Sequence, residues 1–226
     1  MKKNKGILIF SGVIFLFTLA LTIWAWGKIP ADAQIPFHWN IKGKVDNYAS
    51  KSVGLLMGPM MIIFLTLLLI FIPRMEPRKE NLEQSRKAFQ TVIGGILLFF
   101  AGLHLITIFA VLGYETNIVS MMAFLLGALF MAIGNYLGKI RSNFMFGIRT
   151  PWTLSSEVSW NKTHRLGGWL FFISGLFVFL SGFLRNGELT FGILLGGLFG
   201  SVIFLFGYSY WVWKSDEDKK EIAPKL

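Results

Sequence analysis

The sequence predicts an all-α integral membrane protein with six transmembrane helices and with both termini in the cytoplasm. Three observations support this class. Hydrophobic residues make up 54% of the 226 residues and charged residues only 15%, whereas soluble domains carry about 25% charged residues. The hydrophobic residues are concentrated in six runs, each long enough to cross a bilayer as a helix. Lysine and arginine are distributed unequally between the connections, and this asymmetry sets the orientation.

The first apolar run extends from Ile7 to about Trp26, and about 20 apolar residues span a bilayer as a helix. A signal peptide is the alternative interpretation, with the small-residue triplet 31–33 (Ala-Asp-Ala) as its cleavage site. The run is longer than the roughly 7–15 apolar residues of a signal peptide, and Lys28 and Pro30 separate it from the triplet. We therefore predict an uncleaved transmembrane helix.

Five further apolar runs follow, and each is long enough to cross the membrane. Inside hydrocarbon the backbone must satisfy its hydrogen bonds within the segment, so each run is expected to be a helix. Pro59 is expected to kink the first of these five runs and Pro73 to end it. The five runs comprise residues 53–72, 91–112, 118–138, 166–184 and 191–213.

Lysine and arginine predict the orientation. Of the 22 such residues, 17 lie in the two termini and in the connections 73–90 and 139–165, and 5 lie in the alternate connections. Because cytoplasmic connections carry the excess of positive charge, both termini are predicted to be cytoplasmic and the loop 28–52 to lie outside. The net charge of +10 is then explained by cations retained beside anionic lipid, and we predict no direct nucleic-acid binding.

The chain is expected to contain two membrane units. Residues 1–73 form a two-helix unit with an extracytoplasmic loop, 28–52. Residues 74–226 form a four-helix domain whose cytoplasmic loop comprises residues 139–165.

The loop 28–52 contains two prolines, Gly43 and an Asp46-Asn47 pair, which favour turns over a long helix. Two interpretations remain open: an ordered loop that lies on the helix ends, or a recognition surface for a partner. A single histidine with one aspartate eight residues later is a poor zinc signature, since zinc takes three or four protein ligands. We therefore predict no metal. The candidate contact residues are Pro36, His38, Trp39, Gly43 and Asp46.

The loop 139–165 contains local helix signals. Thr150 and Pro151 have the form of an N-cap followed by proline at the first helical position. Ser155 or Ser156 before Glu157 is expected to begin a further turn, with the carboxylate near the positive end of the helix dipole. From there the helix is expected to continue into the fifth span. The candidate signature residues are Asn135, Asn143, Arg149, Thr150, Pro151, Trp152, Ser155, Trp160, His164 and Arg165.

Catalysis is not predicted. The sequence contains no HExxH, GxSxG or phosphate-binding loop, and it has no cysteine, so no enzyme activity and no cofactor are expected. The alternative is an enzyme at one membrane face that uses His38 with Asp46, or His164 with Glu157. His104 lies in the middle of the third span, where ionisable residues are costly and often functional. A hydrogen bond to a neighbouring helix and a proton-linked transport role both remain open for it.

Small residues recur at helical spacing, which lets helices approach closely. We expect them to serve packing within the monomer in preference to a dimer interface. They are Gly54/Gly58, Gly134/Gly138 and Gly192/Gly196/Gly200.

Two blocks of sequence resemble a known family. The stretch GNYLGKIRSNFMFGIRTPWTLSSEVSWNKTHRLGG, residues 134–168, resembles the C-terminal signature of the SdpI family, the immunity proteins against the SDP killing-factor toxin. The stretch IPFHWNIKGKVDNYASK, residues 35–51, resembles the small N-terminal domain of unknown function that accompanies it. The order of the blocks and the six-span plan also match. One departure is Ser142, which stands where proline is usual after the arginine.

The resemblance implies a multi-pass protein of the bacterial cell membrane that protects its cell against a secreted peptide toxin. Its implied partners are that toxin, membrane lipids and a cytoplasmic transcriptional repressor, because the founding member is thought to sequester its own repressor at the membrane. Many relatives occur without a toxin operon, so the resemblance supports the architecture more strongly than the role. The alternative function is a small transporter or lipid-handling protein.

Overall fold

The computed structural model describes residues 5–219, and in this part of the chain it contains eight α-helices and one two-stranded sheet. Lys2, Lys3 and residues 220–226, which contribute to the predicted orientation, lie outside the described residues. The elements in chain order are α1 (Lys5–Trp26), β1 (Gln34–Trp39), β2 (Val45–Ser50), α2 (Lys51–Met75), α3 (Lys79–Gln84), α4 (Arg86–Val111), α5 (Ile118–Leu137), α6 (Pro151–Ser155), α7 (Glu157–Ser181) and α8 (Gly187–Lys214).

Six of the described helices, α1, α2, α4, α5, α7 and α8, are long and apolar enough to cross a membrane. The prediction of six spans is confirmed, and the chain is a multi-pass membrane protein. A single 3₁₀ turn, Gly182–Leu184, continues the fifth span beyond α7. The helix of the fifth span begins at Glu157, well before its apolar run. This start agrees with the helix signal predicted at Ser155 or Ser156 and Glu157.

The prediction that Pro73 ends the second span is wrong, because α2 continues to Met75. Proline removes one backbone N–H but does not prevent the next residues from keeping helical dihedral angles. The helix ends at Glu76, whose backbone is extended with φ −70° and ψ 118°.

The loop 28–52 forms a β-hairpin, which the sequence analysis did not predict. Strands β1 and β2 pair antiparallel, with register shifts between Pro36 and Trp39. The turn depends on Asn40, whose side-chain oxygen accepts hydrogen bonds from the backbone N–H groups of Lys42 and Lys44 at 2.9 and 3.1 Å. Gly43 has φ +74°, a conformation that glycine adopts without steric cost. The tight turn therefore accounts for Gly43.

The helices pack in two groups that α4 joins. Helix α4 packs against α1 and α2 on one side and against α5 on the other, and α7 packs against α5 and α8. The closest approach is between α5 and α7, where a Cβ added to Gly134 would lie 2.6 Å from the carbonyl oxygen of Gly168. Gly54 and Gly58 likewise lie directly against Ile35 and His104. These contacts confirm packing within the monomer for the first two glycine pairs.

For the third glycine set, the prediction of packing within the monomer is wrong. A Cβ added to Gly192, Gly196 or Gly200 would meet no atom of the described residues within 4 Å. Helix α8 instead turns the adjacent residue, Gly197, towards Ser174 of α7. One residue of helix corresponds to a rotation of about 100°, so the neighbouring glycines face away from the bundle.

Candidate functional site

The predicted site residues lie at opposite ends of the bundle. The hairpin, residues 34–50, covers the end at which α1 finishes and α2 begins. The signature loop, residues 139–165, covers the other end, beside the connection between α2 and α4. Geometry therefore divides the candidate residues into two sites.

The hairpin is fixed to the helices beneath it at its base. Ile35 is fully buried and packs against Gly54 at the start of α2. The Lys51 ammonium donates hydrogen bonds to the carbonyl oxygens of Trp26 and Ile29, at 2.7 and 2.6 Å. The cation satisfies one carbonyl at the end of α1 and one in the turn that follows it.

The tip of the hairpin reaches across the bundle to α5 and α8. Gly43 lies beside Val119, and the carbonyl of Ile41 lies against Gly187. Lys42 forms an ion pair with Glu188 at 3.6 Å, in which both side chains are exposed and the contribution to stability is small. The hairpin thus spans this end of the protein.

His38 and Asp46 meet on the exposed surface of the hairpin. The distance from His38 Nδ1 to Asp46 Oδ1 is 2.6 Å, and the two side chains are 66% and 43% exposed. Within residues 5–219, no group of three or more His, Cys, Asp or Glu side chains is placed to hold a metal ion. The pair is therefore a polar surface feature that a partner can reach.

A cavity of about 330 Å³ lies beneath the hairpin, between α2 and α4. Most of its walls are apolar, and its polar lining residues include His104 and Thr107. Two hairpin residues from the candidate set, Pro36 and Trp39, form part of its lining. The lining residues are Pro36, Phe37, Trp39, Gly54, Met57, Gly58, Met61, Phe100, Leu103, His104 and Thr107.

His104 connects this cavity to α1. Its Nε2 lies 3.0 Å from Thr22 Oγ1, and the Thr22 hydroxyl donates to the carbonyl oxygen of Leu55 at 3.0 Å. A hydroxyl has one hydrogen, so with that hydrogen on Leu55 the Thr22 oxygen accepts from His104 Nε2–H. The predicted hydrogen bond from His104 to a neighbouring helix is confirmed, and it joins α4, α1 and α2.

The signature loop encloses the side chains of Trp160 and His164. Trp160 and His164 are fully buried and stack with ring centroids 4.0 Å apart. Trp160 Nε1 donates to the carbonyl of Ile140 at 2.7 Å. His164 Nε2 accepts from the backbone N–H of Ile148 at 2.9 Å, and Nδ1 lies 2.8 Å from the carbonyl of Trp160. Both ring nitrogens are therefore occupied by the main chain, and the geometry does not favour proton transfer with Glu157.

Asn143 closes the turn of the signature loop. Its side chain is fully buried and accepts from the backbone N–H groups of Met145 and Phe146, at 2.9 and 2.8 Å. The amide nitrogen donates to the carbonyl of Arg141 at 2.9 Å. All of its hydrogen bonds are to the backbone of its own loop, which is the role of a structural asparagine.

Glu76 and Arg78 belong to the same network and were missed by the sequence analysis. Glu76 is fully buried, and its carboxylate accepts from the backbone N–H groups of Arg78 and Phe144, at 2.8 and 2.9 Å. Arg78 donates to the Ser142 hydroxyl and to the carbonyl of Leu154. A carboxylate placed directly after an apolar span was the available signal, but nothing local pointed to Phe144.

The predicted helix starts in the signature loop are confirmed. Thr150 caps α6, with Pro151 in the first turn, and Ser156 caps α7 through a hydrogen bond from the N–H of Ser159 at 2.9 Å. Thr150 and Thr153 also form a reciprocal capping box, and Thr150 Oγ1 lies 3.0 Å from the Ser209 hydroxyl. The hydrogen bond between Thr150 and Ser209 joins the loop to α8.

Three other signature residues contact helix α8, their own short helix and the loop backbone, respectively. Trp152 packs edge-on against Phe206 and is tilted against Tyr210. Ser155 Oγ donates to the carbonyl of Pro151 at 2.8 Å, within its own short helix. Arg149 is exposed and donates to the carbonyl of Phe144.

Asn135 and Arg165 are exposed at the end of α5 and near the start of α7. They line a second cavity of about 440 Å³ together with Lys139 and Trp169. This cavity is separate from the enclosed network around Trp160.

Comparison with known proteins gives two family matches, one in each half of the chain. Residues 13–72 match a domain of unknown function, DUF1648, and residues 139–209 match the SdpI/YfhL protein family. The chain is 26% identical over 180 residues to the immunity protein SdpI of Bacillus subtilis (strain 168), which covers 79% of this chain and 80% of that protein. No solved structure matches the chain. The resemblance of the two sequence blocks is confirmed.

Proposed function

We propose that this chain, a multi-pass cell membrane protein with an SdpI/YfhL family domain behind a DUF1648 domain, protects its cell against a secreted peptide toxin. Contact with the toxin occurs at the hairpin and the cavity beneath it. The similarity to the immunity protein SdpI supports the protective function, and the single observation that supports this contact site is that Pro36 and Trp39 of the hairpin line the same cavity as His104. A surface motif and an intramembrane polar group thus share one site.

The chemistry of this site suits a membrane-active peptide. The walls of the cavity are mostly apolar, whereas the hairpin above them presents the exposed His38–Asp46 pair. Tryptophan favours the boundary between lipid and water, which matches the position of Trp39 between these two environments. A volume of about 330 Å³ lies at the lower end of ligand pockets, about 300–1,000 Å³. It accommodates inserted side chains and leaves the remainder of a peptide at the surface.

The hairpin faces the outside of the cell in this proposal, in agreement with the distribution of lysine and arginine. A toxin that arrives from outside then meets the hairpin first. The transporter alternative requires a polar path through the bundle, and the mostly apolar walls of the cavity at His104 do not supply one.

Binding of a cytoplasmic repressor is the second part of the proposal, and it falls to the exposed residues of the signature loop. Arg141, Arg149 and Lys162 are exposed there, so a repressor that docks on this loop needs an acidic surface. Occupation of the cavity would be communicated through α4, which contacts α1, α2 and α5.

The contact site is tested by measuring the survival of toxin-sensitive cells that express variants at two methionines of α2. Met57 lines the cavity and Met60 does not; both are exposed residues of the same helix. Met57→Trp fills the cavity and is expected to abolish protection against the toxin, whereas Met60→Trp is expected to protect like the unmodified chain.

Both variants must be present in the membrane at equal amounts for this comparison. Equal protection by the two variants would refute the cavity as the contact site. Failure of the unmodified full-length chain to protect against any related peptide toxin would refute the immunity function itself.

A further inference from the structure

The second cavity, of about 440 Å³, lies between α5 and α7 at the signature-loop end of the bundle. Glycines of both helices line it where the two backbones approach closely. Its other lining residues are two cations, one amide and two aromatic rings. The lining residues are Gly134, Asn135, Gly138, Lys139, Arg165, Gly168, Trp169 and Phe172.

Within residues 5–219, no carboxylate balances the charge of this cavity. None of its lining residues is acidic. In the described part of the chain, Lys139 and Arg165 form no ion pair with a carboxylate. The Lys139 ammonium lies over the Tyr136 ring, 4.5 Å from its centroid. Two adjacent cations without a counter-charge attract an anion, which completes the site electrostatically.

The remaining walls match a lipid better than a free ion. Trp169 is 63% exposed and lies one turn beyond Arg165 on α7, where an indole ring sits at headgroup depth. Ile173 and Leu176 are also exposed, and their spacing places them on the same face of α7 as Trp169. An apolar track therefore runs from the cationic rim along a membrane-spanning helix.

We propose that the cavity between α5 and α7 binds the phosphate headgroup of an anionic phospholipid, with an acyl chain along the Trp169 face of α7. Lys139 and Arg165 hold the phosphate, and Asn135 donates from its amide. Basic pockets between transmembrane helices bind anionic headgroups in this way. The site is independent of the hairpin and of the immunity function.

Lipid titration of the purified full-length chain in neutral detergent tests the site, with bound phosphatidylglycerol counted by native mass spectrometry. Lys139→Gln/Arg165→Gln is expected to weaken binding about 30-fold, since each cation near a phosphate contributes about five-fold. Lys79→Gln/Lys87→Gln removes the same charge from exposed positions outside the cavity, and its affinity is expected to stay unchanged. Phosphatidylcholine is expected to bind weakly to all three proteins.

Three results would overturn the proposal. Equal loss of affinity in the two double variants would indicate diffuse surface charge. Displacement of the lipid by inorganic phosphate at equal concentration would indicate a free-phosphate site, and equal affinity for phosphatidylcholine would remove the role of the headgroup charge. If the double variant fails to fold, Lys139→Gln and Arg165→Gln tested singly, each about five-fold weaker, serve the same comparison.

Discussion

The hairpin and the signature loop are both polar segments at the ends of membrane-spanning helices, but their polar side chains differ in exposure and in hydrogen-bond partners. In the hairpin, His38 and Asp46 bond to each other and remain exposed. In the signature loop, Asn143 and His164 are fully buried and bond to backbone groups of the same loop. The first arrangement leaves side chains for a partner, and the second uses them to hold the chain.

This difference supports the proposed division of roles between the two regions. Most buried polar groups need a hydrogen-bond partner, which restricts the sequence of an enclosed loop. The exposed hairpin is under weaker geometric restriction. We therefore assign the scaffold role to the signature loop and first contact to the hairpin.

The largest expected effect on stability is that of Trp160→Ala. This substitution removes a fully buried ring and its hydrogen bond to Ile140, and loss of a buried aromatic side chain costs about 3–5 kcal/mol. Trp211→Ala is the matched control, because Trp211 is 67% exposed. Thermal unfolding in detergent measures both variants. Similar unfolding midpoints for Trp160→Ala and Trp211→Ala would contradict the proposed structural role of the enclosed Trp160.

A smaller loss is expected for Asn143→Ala. The N–H groups of Met145 and Phe146 lose their acceptor, and an unsatisfied buried donor costs about 1–3 kcal/mol. The exposed Asn161 provides the control Asn161→Ala, which is expected to unfold like the unmodified chain. If Asn143→Ala were equally stable, the signature loop would not depend on this closure.

Thr22→Val is expected to have the smallest effect on stability, and it tests the buried contact at the hairpin end. It removes the hydroxyl between His104 and Leu55 while keeping the shape of the side chain. Hydrogen bonds between membrane helices average about 0.6 kcal/mol, so a loss of about 1 kcal/mol is expected. Thr66→Val is the control, since Thr66 bonds to the carbonyl of Ile62 in its own helix. Equal unfolding midpoints would show that His104 is not an energetic link between helices.

The sequence was sufficient for the six spans and for the helix starts of the signature loop, where the signal was local. Six apolar runs predicted six spans because a lipid-facing helix needs little more than length and apolarity. Thr150 and Pro151 predicted a helix start because capping depends on a few neighbouring residues. The hairpin was missed because Pro36 and the Asp46-Asn47 pair are disfavoured in strands, and a bulged register accommodates them.

Contacts between residues far apart in the chain could not be predicted from the sequence. Glu76 accepts from Phe144, 68 residues later, and no pattern in either segment specifies the other. The glycines of α5 and α8 have the same spacing, yet Gly134 packs against α7 and Gly196 does not. Which face of a helix meets a neighbour depends on the assembled bundle and cannot be deduced from spacing alone.

Toxin survival measured with two double variants tests the division of roles most directly. His38→Ala/Trp39→Ala changes the hairpin, and Arg149→Ala/Trp152→Ala changes the outer surface of the signature loop. At equal amounts in the membrane, the hairpin variant is expected to lose protection and the signature-loop variant to retain it. Retained protection in the hairpin variant, together with loss in the signature-loop variant, would contradict the assignment of first contact to the hairpin.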